Sequence, residues 1–538
     1  MALAHGSPAP CEQASLAGAE CRDEADAAGK RWALAVAVLG SSLVFIEGSV
    51  VNVALPSLQA DLRLSAAGAQ WVVNSYLLLL SGLMLLGGSL GDRFGVVRVY
   101  ALGAGVFGLG ALACGLAPHA PALIGARAVQ GLGGALLVPS SLALIGRVFP
   151  ENERGAAIGT WAGFSALTTA LGPVLGGWLT EAWHWRGVFL VMPVPAALAA
   201  WLALARVRLR TPDVRRRTDW TGALLAVAAL AGLSLGFILV PERGWGDPGV
   251  WAALGLGVAA GAGFVLFERR RDDPLLPLRL FRSARFSGAN AATLMLYAGL
   301  NASLFLLPFL LIHARGLSPT AAGAAFLPFS LVMGLGSRFA GRWLSGPAAG
   351  WFLAAGSAVA GAGMVWLAAA RTGSFWTGVL PAMLVLGVGM TVAVPPLTTL
   401  VMNSAGKADA GSASGINNTV ARVAGLLAIA VLGSFAVARY EARLAAALDS
   451  VALAPETRQA IFDRSDELLA DELPESVPAE ARQPLESLRV RAFVDAFSST
   501  LAAAAGLAFL AALLSLITLR GRPRPQSTRP SPRRARPT

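Results

Sequence analysis

Charged residues are scarce in this 538-residue chain: Asp, Glu, Lys and Arg make up only 14% of it. An ordinary soluble domain carries about 25%. Hydrophobic residues contribute 55% of the sequence, and the mean hydropathy is +0.62. This shortage of charge excludes an ordinary soluble enzyme and indicates a protein that crosses a membrane many times.

Lysine and cysteine are nearly absent. Lys30 and Lys407 are the only lysines among 43 basic residues, so the formal net charge of +12 comes from arginines. These arginines form short clusters between apolar runs, which argues against nucleic-acid binding. The three cysteines, Cys11, Cys21 and Cys114, provide neither a disulfide framework nor a metal-ligand cluster. The excess of Arg, Ala and Gly favours a bacterial source.

Motifs for nucleotide and metal chemistry are also missing. Lys30 and Lys407 follow glycines, but neither is followed by Ser or Thr, so the chain has no phosphate-binding loop of the Walker type. The four histidines are dispersed, with no H-E-x-x-H pattern, and no catalytic constellation is recognisable. We therefore expect a protein that is not an enzyme and has no cofactor and no metal site.

Long apolar runs dominate the rest of the chain. A spanning helix needs about 20 mostly apolar residues, and fourteen such segments are predicted. They cover approximately residues 32–55, 70–90, 99–117, 121–145, 156–180, 186–206, 220–240, 250–267, 286–312, 320–344, 348–370, 375–401, 415–437 and 494–519.

Arginines in the loops predict how these helices are oriented, because cytoplasmic loops are enriched in basic residues. The loops after predicted helices 6 and 8 each hold six arginines, and seven more follow Leu519. We expect these loops and both termini to be cytoplasmic, which fourteen spans allow. The loop 438–493 holds eleven acids and seven arginines and is expected outside, with an amphipathic helix broken by Pro474, Pro478 and Pro484.

The first predicted helix carries an acid deep in its apolar run, within Ile46-Glu47-Gly48-Ser49-Val50-Val51-Asn52-Val53-Ala54-Leu55-Pro56. Such a residue costs about 2.5–3.5 kcal/mol on insertion scales and usually faces a cavity or a partner. Glu47 is therefore a candidate proton-binding or cation-binding carboxylate. The alternative is a protonated packing residue.

Predicted helix 4 contains Arg127 and Gln130 on one face, three residues apart. At 1.5 Å per residue, Arg127 lies ~9 Å and Glu47 ~12 Å from the outer ends of their helices, so the two side chains can meet at one depth. The alternative is that Arg127 extends to the outer membrane surface instead.

Two glycine-containing strings complete the pattern. Gly88-Ser89-Leu90-Gly91-Asp92-Arg93-Phe94-Gly95 lies between predicted helices 2 and 3, where glycine permits a tight turn. Predicted helix 5 contains Gly172-Pro173 and Gly176; its glycines allow close helix packing and its proline removes a backbone donor.

Together these strings resemble the 14-helix drug:proton antiporters of the major facilitator superfamily over essentially the whole chain. Glu47 stands where that family's helix 1 motif has Asp, and the 88–98 string is similar to G-x-L-x-D-R-x-G-R-[KR], with Val96 and Val97 in place of basic residues. Helix 4 resembles R-x-x-Q-G and helix 5 resembles a motif ending G-P-x-x-G-G.

The resemblance implies roles for the matching residues. Glu47, Arg127 and Gln130 would serve proton coupling and substrate recognition. The residues Asp92, Arg93, Gly95, Gly172 and Pro173 would serve the gates. Trp161, Trp366 and Asn52 are candidate cavity residues, with packing or interfacial anchoring as the alternative for the tryptophans.

The resemblance also implies an all-α fold of two six-helix bundles with two inserted helices. The expected divisions are a disordered cytoplasmic tail at 1–31, a first bundle at 32–206 and basic loops with helices 7 and 8 at 207–285. A second bundle follows at 286–519, including the loop 438–493, and a basic tail at 520–538.

The expected function is export of lipophilic or cationic compounds across the plasma membrane in exchange for protons, by a monomer whose partners are its substrate, protons and lipid. Alternatives are a dedicated metabolite or antibiotic exporter, a symporter of the same fold and, more remotely, a non-transporting membrane sensor or enzyme.

Overall fold

The computed structural model describes residues 27–209, 218–271, 274–344, 348–370, 374–405, 410–449, 455–462, 473, 477 and 479–518. All regular structure within these ranges is helical. Most of the predicted N-terminal tail, the predicted tail 520–538, Pro474 and Pro478 lie outside them. The first helix begins at Ala27, inside the segment expected to be disordered.

Fourteen helices in the described ranges are long and apolar enough to cross a membrane, which confirms the predicted number. We number them α1 to α14. They span Ala27–Leu62, Ala66–Phe94, Val96–Gly115, Ala120–Val148, Glu151–Ala182, Gly187–Leu190 continued by Pro193–Arg206, Trp220–Arg243, Pro248–Glu268, Ala284–Phe309 continued by Leu310–Ala314, Pro319–Ala324 continued by Leu327–Trp343, Ala349–Ala369, Val379–Ala405, Ala410–Leu448 and Ala479–Thr518.

Three of these helices are interrupted where the predicted segments were continuous. In α6 and α10 the second part begins with a proline at or next to its first residue, Pro193 and Pro328. Proline lacks an N–H group and is accommodated most readily in the first turn of a helix, which is where both of these prolines lie. The last turn of α9, Leu310–Ala314, has the wider π-helical hydrogen bonding.

The last two helices extend well beyond the predicted apolar segments. α13 continues to Leu448 and α14 begins at Ala479, so both reach into the predicted loop, and a short helix covers Pro455–Phe462. The prediction that Pro484 breaks a helix is wrong, because Pro484 lies inside α14. It is the sixth residue of that helix, where its missing N–H group costs a single backbone hydrogen bond.

Helix packing produces two groups of six helices. α1 to α6 pack mainly against each other, as do α9 to α14. Contacts between the two groups join α5 to α10, α2 to α13 and, less extensively, α1 to α9. The inserted helices α7 and α8 pair with each other, and α7 contacts both α2 and α13. The chain is therefore two six-helix bundles with an inserted helix pair beside their interface.

The two ends of this assembly differ in charge. One end, here called the arginine-rich end, holds Arg206, Arg269 to Arg271 and Arg279. The α2–α3 turn lies at that end, and Gly95 adopts φ 94° there, a conformation that favours glycine. The end that holds the α1–α2 and α9–α10 connections is called the opposite end.

Candidate functional site

The centre of the first bundle contains a buried ion pair. Glu47 of α1 has no exposed surface, and Arg127 of α4 is 1% exposed. Arg127 Nη1 donates a hydrogen bond of 2.6 Å to Glu47 Oε1 and one of 2.7 Å to Gln130 Oε1. Its Nε donates to the Val72 carbonyl oxygen at 3.1 Å. The guanidinium is therefore held inside the bundle and does not extend to the surface.

Aromatic rings complete the surroundings of Arg127. Its guanidinium lies 4.3 Å from the ring centre of Tyr76 and 5.6 Å from that of Phe189. The Tyr76 hydroxyl donates to the Val44 carbonyl oxygen at 3.3 Å, which fixes the ring. Rings placed over a desolvated cation stabilise it by electrostatic attraction. Arg127 therefore has favourable contacts besides the one to Glu47.

Glu47 also lines a small cavity between the two bundles. The first bundle contributes Glu47, Asn52, Tyr76 and Arg127 to its wall, and the second contributes Asn301 and Ile429; the other lining residues are Gly48, Val51, Val73 and Leu77. Its volume is about 40 Å³. Such a space accommodates a few water molecules, whereas pockets for drug-sized ligands measure about 300–1,000 Å³. The carboxylate therefore lies on the wall of a space that is large enough for water and too small for a drug-sized ligand.

The two oxygens of Glu47 have different surroundings. Oε1 accepts the hydrogen bond from Arg127, whereas Oε2 has no hydrogen-bond partner within the described part of the chain. A buried carboxylate oxygen without a donor is costly. Oε2 is therefore the atom of this pair with unused capacity to bind a proton.

The glycines of α5 bring the two bundles into direct contact at the opposite end. A Cβ atom on Gly172 would overlap Ser49 Oγ of α1, and one on Gly323 of α10 would overlap the carbonyl oxygen of Pro173. A side chain on Gly177 would likewise meet the backbone of Pro319. Because only glycine allows this approach, Gly172-Pro173 belongs to a tight α1–α5–α10 contact.

At the arginine-rich end, the string after α2 makes two polar contacts. Asp92 Oδ1 lies 2.8 Å from Arg147 Nη2 at the end of α4, which belongs to the same bundle. Arg93 Nη1 donates to Thr218 Oγ1, just before the inserted helix α7, at 3.2 Å. Asp92 therefore pairs within its own bundle in this conformation, and Arg93 reaches the inserted helices.

The remaining candidates separate into two groups. Asn52 lines the cavity, and Trp161 packs edge-on against Phe45 while its Nε1 donates to Ser41 Oγ at 2.8 Å. Trp366 is 45% exposed on α11, a helix that packs mainly against α12 and α14. Trp366 is not among the residues that line the cavity beside Glu47, and its role in a cavity stays a prediction.

Comparison with known proteins places this arrangement in a family. The family model described as Major Facilitator Superfamily matches residues 37–429. The chain belongs to this superfamily. A Major Facilitator Superfamily protein is a membrane transporter, so the chain is not an enzyme.

Curated relatives of this chain include resistance and export proteins. The multidrug resistance protein Stp of Mycobacterium tuberculosis is 33% identical over 79% of this chain and 79% of its own length. The puromycin resistance protein pur8 of Streptomyces alboniger is 35% identical over 82% and 87%, respectively. The cephamycin export protein CmcT of Amycolatopsis lactamdurans is 38% identical over 74% and 84%.

A solved structure shows the same fold. A bacterial homologue of the human lysosomal transporter Spinster, in an inward-facing and unoccupied conformation, matches with a TM-score of 0.65 at 16% identity. The match covers 93% of this chain and all of that one.

The sequence analysis assigned no role to three residues of the central region. Tyr76 contacts Arg127, Asn301 lines the cavity, and Arg422 of α13 lies 5.4 Å from the ring centre of Phe45. The signal for Arg422 was present, because it is an arginine inside an apolar segment. Tyr76 and Asn301 gave no such signal, since which face of a helix meets the other bundle is a property of the packing.

Proposed function

We propose that this protein exports lipophilic drugs or toxic compounds across the plasma membrane in exchange for protons, by alternating access. The observation that carries the proposal is the buried Glu47–Arg127 pair on the wall of a cavity between two bundles. The resistance and export proteins among its relatives support the direction and the kind of cargo.

Glu47 Oε2 is the proposed proton acceptor. Protonation there neutralises the carboxylate and weakens its attraction for Arg127, while Gln130, Val72 and the Tyr76 ring continue to hold the guanidinium. The charge of the cavity wall then rises by one. Because a change of charge alters the relative free energies of the two bundle arrangements, proton binding is coupled to movement of the bundles.

The gates are proposed to lie at the two ends of the bundle interface. The α5–α10 contact at Gly177 and Gly323 closes the opposite end in the conformation described here. The arginine-rich end is proposed to face the cytoplasm, in keeping with the bias of basic residues toward that side. Opening the α5–α10 contact would expose the cavity to the outside.

The experiment is ethidium efflux from cells that express the wild type or Glu47→Gln at matched levels, with and without a protonophore. We expect the protonophore to abolish wild-type efflux and Glu47→Gln to be inactive. The matched control is Glu153→Gln, which changes an exposed glutamate of α5 and should export like the wild type. Retained proton-dependent efflux in Glu47→Gln would contradict the proposal.

A second candidate is a dedicated exporter of one antibiotic or metabolite. Relatives named for puromycin resistance and for cephamycin export support it, since each name gives a single compound. Efflux measured across chemically diverse dyes separates the two candidates. A broad profile supports multidrug export, and failure on every dye supports a dedicated substrate.

A further inference from the structure

Arg422 is a second arginine in the membrane-spanning part of the central region. It is the thirteenth residue of α13, within an apolar stretch. Its guanidinium lies 5.4 Å from the ring centre of Phe45 on α1, and the phenol groups of Tyr76 and Tyr297 are near enough to interact with it electrostatically. Because Phe45 and Tyr76 belong to the first bundle and Tyr297 to the second, Arg422 lies between the bundles.

The guanidinium of Arg422 differs from that of Arg127 in its partners. Arg127 has a carboxylate, an amide oxygen and a carbonyl oxygen as acceptors. In the described ranges, no carboxylate and no hydrogen-bond acceptor contacts Arg422, and the side chain is partly exposed. An intramembrane cation is costly and normally faces a partner or a functional cavity. The five N–H donors of Arg422 are therefore available to a ligand.

The position of Arg422 connects it to the cavity beside Glu47. Ile429, seven residues later on the same face of α13, lines that cavity, and Gly425 between them packs against the Asn301 side chain. Seven residues correspond to about 10 Å along a helix. Arg422 thus extends the central face toward the arginine-rich end, next to the aromatic pair Phe45 and Trp161.

We propose that Arg422 binds the acidic group of the transported compound, so that the substrates include organic anions with a carboxylate or phenolate on an apolar ring system. Phe45 and Trp161 provide the aromatic surface for the ring system. This inference rests on the proposed export function and names the class of compound exported.

Charge balance supports an anion at this position. Glu47 and Arg127 neutralise each other, which leaves the formal charge of Arg422 uncompensated by the residues near it. A monoanion cancels that charge, so an acidic compound gains an attraction at Arg422 that a neutral or cationic compound does not gain there. The planar guanidinium also matches a carboxylate with two parallel hydrogen bonds, a geometry that lysine lacks.

The test measures equilibrium binding of two related xanthene dyes to the purified full-length protein by fluorescence anisotropy. Fluorescein is the anionic probe and rhodamine 123 the cationic one. The variants are Arg422→Gln and Arg422→Lys. The matched control is Arg439→Gln, which removes an exposed arginine farther along the same helix.

We expect Arg422→Gln to weaken fluorescein binding at least tenfold without weakening rhodamine 123 binding, Arg422→Lys to be intermediate and Arg439→Gln to match the wild type. Equal losses for both dyes in Arg422→Gln, or wild-type protein that does not bind fluorescein, would overturn the proposal. Because binding requires no proton gradient, failure of proton-driven export and failure of this inference give separate results.

Discussion

At the scale of single residues, the site depends on one carboxylate and one guanidinium that lie together in the interior of the first bundle. Glu47 and Arg127 are both almost completely buried, and their closest N–O distance is 2.6 Å. Desolvation of two charges offsets much of their mutual attraction, so such a pair adds little net stability compared with apolar residues. Removing one partner is different, because it leaves the other charge buried and unpaired.

Replacing Arg127 by Gln should therefore destabilise the protein by about 3–5 kcal/mol. The double variant Glu47→Gln with Arg127→Gln should recover part of that loss, since it leaves no uncompensated charge. Thermal unfolding of the purified proteins, followed by tryptophan fluorescence, measures both. If the double variant melts lower than either single variant, the pair is not coupled in this way.

The free-energy cost of placing a charge in lipid explains which of these residues could be predicted from the sequence. Glu47 and Arg127 were recognisable because each interrupts an apolar run, and their contact was expected from their similar depths in two helices. The sequence could not give the partners Tyr76 and Asn301, because tyrosine and asparagine in a helix carry no comparable penalty. The sequence also could not show that Trp366 does not line the cavity beside Glu47, since the direction of a side chain depends on helix rotation.

At the scale of helices, the number and order of spans followed from hydropathy, and their ends did not. α13 and α14 extend past their apolar segments, where amphipathic sequence continues the helix outside the expected membrane region. α6 and α10 are interrupted by prolines whose effect depends on position within the helix. Glycine spacing in α5 predicted close packing, and the structure identifies its partners as α1 and α10.

Gly172→Val tests whether the α1–α5 contact matters for transport. The new side chain would overlap Ser49, whereas a Cβ atom on Gly163 of the same helix meets nothing within 4 Å. Overpacking costs about 1–3 kcal/mol, which shifts a conformational equilibrium by about 5- to 150-fold. We expect Gly172→Val to slow dye efflux by about tenfold or more, and Gly163→Val to remain close to wild type.

Expression levels measured by immunoblotting serve as the control for this comparison. Equal efflux by the two valine variants would show that close approach of α5 to α1 is not required for the transport cycle.

At the scale of the whole molecule, the two bundles and the inserted helix pair form a structure with chemically different ends. Arginines concentrate at one end, and the described parts of the long acidic segment, with the extensions of α13 and α14, lie at the other. The inserted helix α7 contacts α2 and α13, and Arg93 reaches Thr218 immediately before it. The inserted pair is therefore positioned to follow movements of both bundles.

The orientation makes a direct prediction. Green fluorescent protein fused to the C-terminus should fluoresce in bacterial cells, because it folds in the cytoplasm. Alkaline phosphatase fused after Gly316, at the opposite end between α9 and α10, should be active because it requires the oxidising exterior. The reverse pattern would contradict the proposed orientation and the side from which the proton enters.

We propose that a proton exchanged at Glu47 drives the export of the compound. The most direct measurement uses purified protein in liposomes with an imposed pH gradient and records accumulation of ethidium and of fluorescein. We expect gradient-dependent accumulation of at least one dye by the wild type and by Glu153→Gln, and none by Glu47→Gln. Accumulation by Glu47→Gln at the wild-type rate, collapsing with the gradient, would contradict the proposal.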